Sequence, residues 1–319
     1  MKGVSAFLRV IRWPNLVFIA ITQLLFHFFV VVPSATGQVN NFQLRLTTPL
    51  LLFLCLSSLC IAAAGYIIND YFDINIDEVN KPEKMVVGRT ISRRYALLMH
   101  IVLSTAGLVI GGIVSLKLGN WLIALGNLAC VGLLWYYSTR YKRRLLIGNV
   151  VISALTAWVL LVLLVAELPG WWNGQLANMA EKAAVARLSR IGILYAAFAF
   201  IISLIREVIK DMEDIEGDRK DGCTTMPIVW GIQASKVFVG VWLAVLIVLL
   251  VITQVYVIQF GWWLSAGFIV SFVVAPLLVI FKGLIKANGQ AQFALLSHRV
   301  KWVMLLGILS MMFFMLYTN

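Results

Sequence analysis

The sequence predicts an all-α, polytopic membrane protein, folded as a bundle of about nine transmembrane helices with one site at their cytoplasmic ends. Charged residues make up 13% of the 319 residues, about half of the roughly 25% usual in soluble domains. Apolar runs of about 20 residues, the length that crosses a bilayer, recur along the chain. Because the bilayer supplies the apolar surroundings, we expect a single domain over residues 1–319.

The apolar runs predict nine spans. Their limits, accurate to a few residues, are roughly 13–32, 47–68, 95–116, 120–138, 147–168, 189–210, 236–256, 262–282 and 299–317. The first run follows Lys2, Arg9 and Arg12, as the apolar part of a signal peptide would. It is long enough to cross the membrane, however, so we predict an uncleaved first helix.

The positions of the basic residues predict the orientation. If the N-terminus is inside, 21 of the 26 Lys and Arg residues lie on one face of the membrane. Basic residues concentrate on the cytoplasmic side of membrane proteins. We therefore predict an integral inner or plasma membrane protein with a cytoplasmic N-terminus and site, and with its C-terminus on the opposite side. The net charge of +12 then reflects topology, so we expect the lipid bilayer and no nucleic acid as a partner, and the sequence indicates no protein partner.

Acidic residues are concentrated in two stretches that share one spacing. Five of the 14 acidic residues lie within 70–83 and seven within 207–221. Each stretch contains the pattern D-x-x-D-x-x-x-D, formed by two trios: Asp70, Asp73 and Asp77, then Asp211, Asp214 and Asp218. On a continuous helix these three positions fall within an arc of about 60°. We therefore expect each trio to line one helix face, at the cytoplasmic ends of the second and sixth spans.

The clustering of carboxylates favours a metal site. Carboxylates at a membrane interface repel one another, and partial desolvation strengthens the repulsion. Mg²⁺ relieves it, since this ion takes one or two carboxylates together with substrate phosphates. A solvated loop would also hold acidic residues, but the repeated spacing favours a site. At the mouth of an apolar bundle, a Mg²⁺–diphosphate site predicts a lipid diphosphate whose tail lies between helices. The alternative from another class is a divalent-cation transporter, whose ligands would lie nearer the bilayer midplane.

The segments around both trios resemble the aspartate-rich motifs of the UbiA-type intramembrane prenyltransferases. The first motif comprises Gly65-Tyr66-Ile67-Ile68-Asn69-Asp70-Tyr71-Phe72-Asp73 and continues through Asp77 to Asn80-Lys81-Pro82. The second comprises Arg206-Glu207-Val208-Ile209-Lys210-Asp211 and continues through Asp214 to Gly217-Asp218. Arg12-Trp13-Pro14-Asn15 at the first helix also matches, so the resemblance covers essentially the whole chain. It implies Mg²⁺-dependent transfer of a prenyl group from an allylic prenyl diphosphate donor to a lipid-like acceptor.

The resemblance also implies roles for individual residues. The ligands of one Mg²⁺, shared with the diphosphate, would be Asn69, Asp70, Asp73 and Asp77. The ligands of a second Mg²⁺ would be Asp211, Asp214 and Asp218. The residues that contact the substrates would be Asn15, Asn69, Tyr137, Lys142, Arg206 and Lys210. Lys210, together with Lys142 or Arg140, would neutralise phosphate oxygens. Aromatic faces can stabilise the prenyl carbocation, and the candidates near the cytoplasmic end are Tyr66, Tyr71, Phe72, Tyr136 and Tyr137.

One branch of the family resembles this chain in further detail. The second motif, together with Thr225-Met226-Pro227-Ile228, resembles the branch that makes digeranylgeranylglyceryl phosphate. That resemblance implies geranylgeranylglyceryl phosphate as the acceptor, alkylated at a hydroxyl. After Asn80-Lys81-Pro82 the chain continues Glu83-Lys84-Met85-Val86-Val87-Gly88-Arg89, where the branch commonly has an R-P-I-P-S-G-like run. An aromatic acid or naphthoate of quinone biosynthesis, alkylated at carbon, therefore stays the alternative acceptor.

Overall fold

The structure, a computed structural model, describes residues 2–36, 44–80, 82–167 and 179–317. Within these ranges nine helices are long and apolar enough to cross a membrane, which confirms the predicted number of spans. In chain order they are α1 (Trp13–Ala35), α2 (Thr48–Phe72), α3 (Arg93–Leu118), α4 (Trp121–Thr139), α5 (Ile147–Glu167), α6 (Val185–Glu213), α7 (Gly231–Ile258), α8 (Trp263–Lys286) and α9 (Gln290–Tyr317).

Some of these helices depart from regular α-helical geometry. Helix α1 contains a π-helical turn at His27–Val31, α8 contains one at Val270–Val274, and α9 ends in a 3₁₀ segment at Ser310–Tyr317. Helix α6 continues a helical segment that begins at Met179. The ninth span begins at 290 and not at the predicted 299. Polar residues alternate with buried ones along its first turns, so this part of the sequence is not a continuous apolar run.

Short helical segments flank the spans. The α-helical ones are Lys2–Val10 before α1, Ile74–Asn80 after α2, Ile215–Lys220 after α6 and Met226–Val229 before α7. The 3₁₀ turns are Pro82–Lys84 and Tyr141–Arg143. The turn between α3 and α4 is tight because Gly119 adopts a left-handed conformation with φ of 62°, which glycine accepts at little steric cost.

Three apolar clusters form the core of the bundle, and two of them are large. One joins α1, α2 and α5 around the fully buried Phe26, Leu54 and Leu163. The other joins α6 to α8 and α9 around residues such as Ile205 and Leu277. Because lipid tails are as apolar as leucine, close packing holds membrane helices together more than apolar burial does. Where the packing opens, six helices (α1, α2, α4, α5, α6 and α9) surround a cavity.

The expectation that each aspartate trio lies on one continuous helix is wrong. Helix α2 ends at Phe72, and Asp73 takes φ −91° and ψ 4° before the next helix starts at Ile74. Asp214 takes almost the same conformation, φ −96° and ψ 9°, between α6 and Ile215–Lys220. Both segments bend at their middle aspartate. The backbone dihedral angles of this residue lie in the sparsely populated bridge region of the φ/ψ map, where active-site residues are often found. The third aspartate of each trio is thereby carried on a separate short helix, and the two short helices pack against each other.

Candidate active site

A cavity of about 660 Å³ lies between the six helices, and it is lined by every residue predicted as a metal ligand or a substrate contact. The further candidates Arg140, Tyr71, Phe72 and Tyr136 do not line it. The residues from the first motif are Asn69, Asp70, Asp73 and Asp77. The residues from the second motif are Arg206, Lys210, Asp211, Asp214 and Asp218. The others are Asn15, Tyr137 and Lys142. Residues from α1, α2, α4 and α6, far apart in sequence, therefore meet around one space.

The first trio is held by cationic and amide donors. Asp73 is only 3% exposed, and its Oδ2 accepts hydrogen bonds from Lys142 Nζ and Asn69 Nδ2. Asp70 Oδ1 accepts from Arg12 Nη2 at 2.6 Å. The backbone of Arg12 is left-handed, with φ of 51°, an uncommon conformation for a residue other than glycine. The bend between the N-terminal helix and α1 thus directs this guanidinium into the cavity.

Lys142 reaches the cavity because the Tyr141–Arg143 turn lies close against the start of α5. Gly148 makes this approach possible, since a Cβ atom there would lie 2.9 Å from the carbonyl oxygen of Tyr141 and 3.0 Å from Cα of Lys142. These neighbours are backbone atoms, which cannot move aside as a flexible side chain can. Gly148 therefore leaves room for the turn that carries Lys142 to the cavity.

The second trio has a different set of partners. Asp211 Oδ2 accepts a hydrogen bond from Asn149 Nδ2 on α5 at 2.8 Å. One turn earlier on α6, the buried Glu207 accepts from Arg206 Nη1 at 2.9 Å and from Lys210 Nζ at 3.3 Å. Two predicted substrate-binding cations are therefore paired with a carboxylate outside the two trios.

The carboxyl groups on the two short helices ionise less readily than usual. Burial and the Asp73 carboxylate raise the pKa of Asp77 to about 6. Burial, together with the Asp214 and Asp73 carboxylates, raises the pKa of Asp218 to about 6, although Lys142 opposes this shift. A bound divalent cation would favour the ionised form of both groups, because metal ligands must be deprotonated.

The arrangement fits Mg²⁺ that binds together with phosphate oxygens. Among the described residues, no three His, Cys, Asp or Glu side chains form a ready-made metal cluster. The two trios nevertheless offer hard oxygen donors, and the buried Asn69 Oδ1 beside them has no hydrogen-bond partner. Mg²⁺ is commonly held by one or two carboxylates plus substrate phosphates and not by a closed protein cage. The donor set therefore suits a metal–diphosphate complex better than a lone ion.

Several polar residues at the cavity were not among the predicted site residues. Arg12, Glu207 and Lys301 line it, and Asn149 contacts the Asp211 carboxylate that lines it. Arg12 directly precedes the first predicted span and Lys301 lies at the start of the ninth, so we assigned both charges to topology. Asn149 lies inside an apolar run, where only the folded structure reveals its contact with Asp211. Lys301 Nζ donates to Asn15 Oδ1 at 2.8 Å, which joins α9 to the predicted substrate contact on α1.

Two tyrosines line the cavity close to the carboxylates. Tyr137 belongs to the predicted set, and Tyr66 faces the cavity from α2 with the Arg12 guanidinium 5.2 Å from its ring centroid. Deeper in the bundle the lining becomes mostly apolar, with Ile61, Leu134 and Trp158 among its residues. The cavity therefore has a charged mouth and an apolar interior.

Comparisons with known proteins agree with this geometry. Residues 24–306 match the UbiA prenyltransferase family. A digeranylgeranylglyceryl phosphate synthase from Methanothermobacter thermautotrophicus is 35% identical over 174 residues, which cover 54% of this chain and 53% of that protein. The aligned part of the chain thus spans about half the length of this curated relative.

Solved structures show the same fold. One described as a digeranylgeranylglyceryl phosphate synthase in membranes has a TM-score of 0.62 at 21% identity, over 98% of this chain and 99% of the other. A UbiA homologue from Archaeoglobus fulgidus, bound to GPP and Mg²⁺, has a TM-score of 0.58 at 16% identity, over 96% of this chain and 99% of the other.

Proposed function

The chain belongs to the UbiA prenyltransferase family, and on that premise we propose that it transfers a geranylgeranyl group from its diphosphate to geranylgeranylglyceryl phosphate. The family that the two motifs predicted is thereby confirmed. The observation that carries the proposal is the cavity itself, which joins two facing carboxylate trios to an apolar interior. A lipid diphosphate has the same two parts. Family membership favours this enzyme over the cation transporter.

We propose that two Mg²⁺ ions bind with the diphosphate, one at Asn69, Asp70, Asp73 and Asp77 and one at Asp211, Asp214 and Asp218. When bound, Mg²⁺ stabilises the negative charge that develops on the departing diphosphate. The Archaeoglobus homologue supports this proposal, since its structure contains Mg²⁺ with GPP. Lys142 and Lys210 donate to Asp73 and Glu207. When the diphosphate binds beside these carboxylates, both lysines would turn towards its phosphate oxygens.

The allylic C–O bond breaks with its electron pair on the diphosphate, and the prenyl carbon forms a new bond to the oxygen of the acceptor hydroxyl. The hydroxyl proton passes to the released diphosphate. The prenyl cation must be kept from water. Tyr66 and Tyr137 line the cavity at the level of the trios, so their rings are placed to stabilise the cation through their π-faces. The apolar residues below them exclude water from the prenyl chain.

The acceptor phosphate has a candidate partner of its own. Lys301 contacts the neutral Asn15 side chain, and the buried Nε of Arg206 has no hydrogen-bond partner. Both residues line the cavity, Arg206 from α6 and Lys301 from α9. Arginine and lysine at such a place suit a phosphate monoester. The relative from Methanothermobacter is named a digeranylgeranylglyceryl phosphate synthase, which supports this acceptor.

We also propose that the cavity opens towards the cytoplasm, as the excess of basic residues on that face predicts. The product is an ether lipid, so the reaction belongs to ether-lipid biosynthesis.

The test is an assay of purified protein in detergent with Mg²⁺ and geranylgeranyl diphosphate. Geranylgeranylglyceryl phosphate and 4-hydroxybenzoate are offered in separate reactions, and products are identified by mass spectrometry. We expect an ether-linked product from the first acceptor, absent when EDTA removes the metal. A C-alkylated product from the aromatic acid alone would replace the acceptor and keep the reaction class. Absence of product from both acceptors, in folded protein, would contradict the proposal.

A further inference from the structure

The apolar part of the cavity ends at a buried amide. On α2, every third or fourth residue from Asp70 back to Ser58 lines the cavity, and on α5 the deepest lining residue is Val159. Gln23 of α1 lies directly beyond both, since its Nε2 donates to Ser58 Oγ at 3.0 Å and to the carbonyl oxygen of Val159 at 3.1 Å. This side chain is completely buried and connects three of the helices that surround the cavity.

Below Gln23 the bundle is filled. The next turns of α1, α2 and α5 contribute Phe26, Leu54 and Leu163, each fully buried in one apolar cluster. Gln23 therefore lies between the open cavity and this apolar cluster. Its Oε1 is buried and has no hydrogen-bond partner, so the amide is held by two donated bonds and by packing.

We propose that Gln23 is the floor of the donor tunnel and limits the prenyl chain to four isoprene units, an inference that rests on the proposed function. From Asp70 to Ser58 the α2 axis rises about 18 Å at 1.5 Å per residue. An extended chain advances about 1.2 Å per bond, by analogy with the polypeptide backbone. A geranylgeranyl chain has about 15 main-chain carbon–carbon bonds and so spans about 17–18 Å on that measure.

A fifth isoprene unit would add about 5 Å on the same measure and would meet the Gln23 amide. Its terminal methyl groups would displace a buried polar group from both of its hydrogen bonds, which is unfavourable. A chain of three units would leave the lower part of the tunnel unfilled and lose contacts there. The depth of the floor thus disfavours prenyl chains that are longer than four isoprene units and chains that are shorter.

The test measures donor binding in the absence of acceptor, using unreactive thiolodiphosphates with chains of three, four and five isoprene units. For the wild-type protein with Mg²⁺ we expect tightest binding at four units and at least tenfold weaker binding at five. Gln23→Ala should recover most of the loss at five units. Ser58 keeps its own hydrogen bond to the carbonyl oxygen of Leu54 in this variant, which limits the damage to the fold.

A second variant works in the opposite direction. Ala62 lies one turn above Ser58 on the cavity face of α2, so Ala62→Phe should raise the floor by about 6 Å and make three units the best length. The matched control is Gln254→Ala. Gln254 is also buried, with one donated hydrogen bond to Leu250 and an unpartnered Oε1, but it lies on α7 outside the cavity. We expect Gln254→Ala to keep the wild-type length profile.

Equal binding of four and five units by the wild-type protein would overturn the floor and leave the proposed function in place. An unchanged length profile in both folded Gln23→Ala and Ala62→Phe would overturn it as well. A sharp length limit without turnover in the acceptor assay would support the floor while contradicting the proposed transfer reaction. Failure of every donor to bind would overturn both.

Discussion

Removing the amide of Asn149 should weaken metal binding without disturbing the fold. Asn149 is 7% exposed, and its Nδ2 lies 2.8 Å from Asp211 Oδ2. In the Asn149→Ala variant, Asp211 loses the donor that orients it towards the cavity. Loss of such an outer partner typically lowers metal affinity by about 10–100-fold, which corresponds to about 1.4–2.8 kcal/mol.

The assay is the initial rate of prenyl transfer against free Mg²⁺ concentration, at saturating donor and acceptor. We expect the half-saturating Mg²⁺ concentration to rise about 10–100-fold in Asn149→Ala, with the rate at saturating Mg²⁺ reduced much less. In the proposed site, the change acts on a metal ligand and not on the groups that would contact the prenyl chain. A proportional loss of rate at every Mg²⁺ concentration would therefore refute the orienting role.

The matched control is Asn120→Ala. Asn120 is equally buried and donates to the carbonyl oxygen of Val165 at 2.6 Å, but it caps α4 at the opposite end of the bundle. Loss of a helix cap costs about 1 kcal/mol, so this variant should be less stable. Its Mg²⁺ dependence should match that of the wild-type protein. A shift as large as that of Asn149→Ala would show that general destabilisation causes the effect.

The remaining predictions concern the charged groups. Asp73→Ala or Asp214→Ala should abolish turnover while the protein stays folded by circular dichroism, and near-normal activity in both would contradict the metal site. Because the pKa values of Asp77 and Asp218 are about 6, protons compete with the metal for these carboxylates near and below that pH. The half-saturating Mg²⁺ concentration should therefore rise as the pH falls from about 7.5 to 5.5. A half-saturating concentration that does not change with pH would count against these two ligands. Lys142→Met leaves the buried Asp73 without its cation, which costs about 3–5 kcal/mol. Its melting temperature should fall in EDTA and recover with Mg²⁺ and donor, whereas a Mg²⁺-independent loss would assign Lys142 a purely structural role.

The spans and both aspartate trios could be predicted because each depends on a local pattern. A run of about 20 apolar residues has few alternatives to a membrane helix, and the two trios repeat one spacing. The bends at Asp73 and Asp214 could not be predicted, because neither proline nor glycine occupies the bend. Each bending aspartate also keeps helix-like backbone hydrogen bonds of its own, with Asp77 N donating to Asp73 O at 2.8 Å and Asp218 N donating to Asp214 O at 3.1 Å.

Asn149 and Lys301 show a different limit of sequence-based prediction. Their roles depend on which helices become neighbours, and nothing in the sequence near either residue indicates that. Asn149 meets Asp211 because α5 packs along α6, and Lys301 meets Asn15 although 286 positions separate them. A basic residue near the end of a span also satisfies the positive-inside rule, so its charge alone cannot separate a topological role from a binding role.

The charges of the cavity explain why metal and diphosphate should bind together. Eight carboxylates and six Lys or Arg residues line it, which leaves a net charge of about −2 when all are ionised. A diphosphate alone would add further negative charge to a partly desolvated space, which is unfavourable. Metal alone would lack the phosphate oxygens that complete its coordination, since the described residues form no ready-made cluster. The metal therefore offsets the negative charge of the diphosphate, and the diphosphate completes the coordination of the metal. The existing pairs, Lys142 with Asp73 and Arg12 with Asp70, hold the carboxylates in place until both arrive.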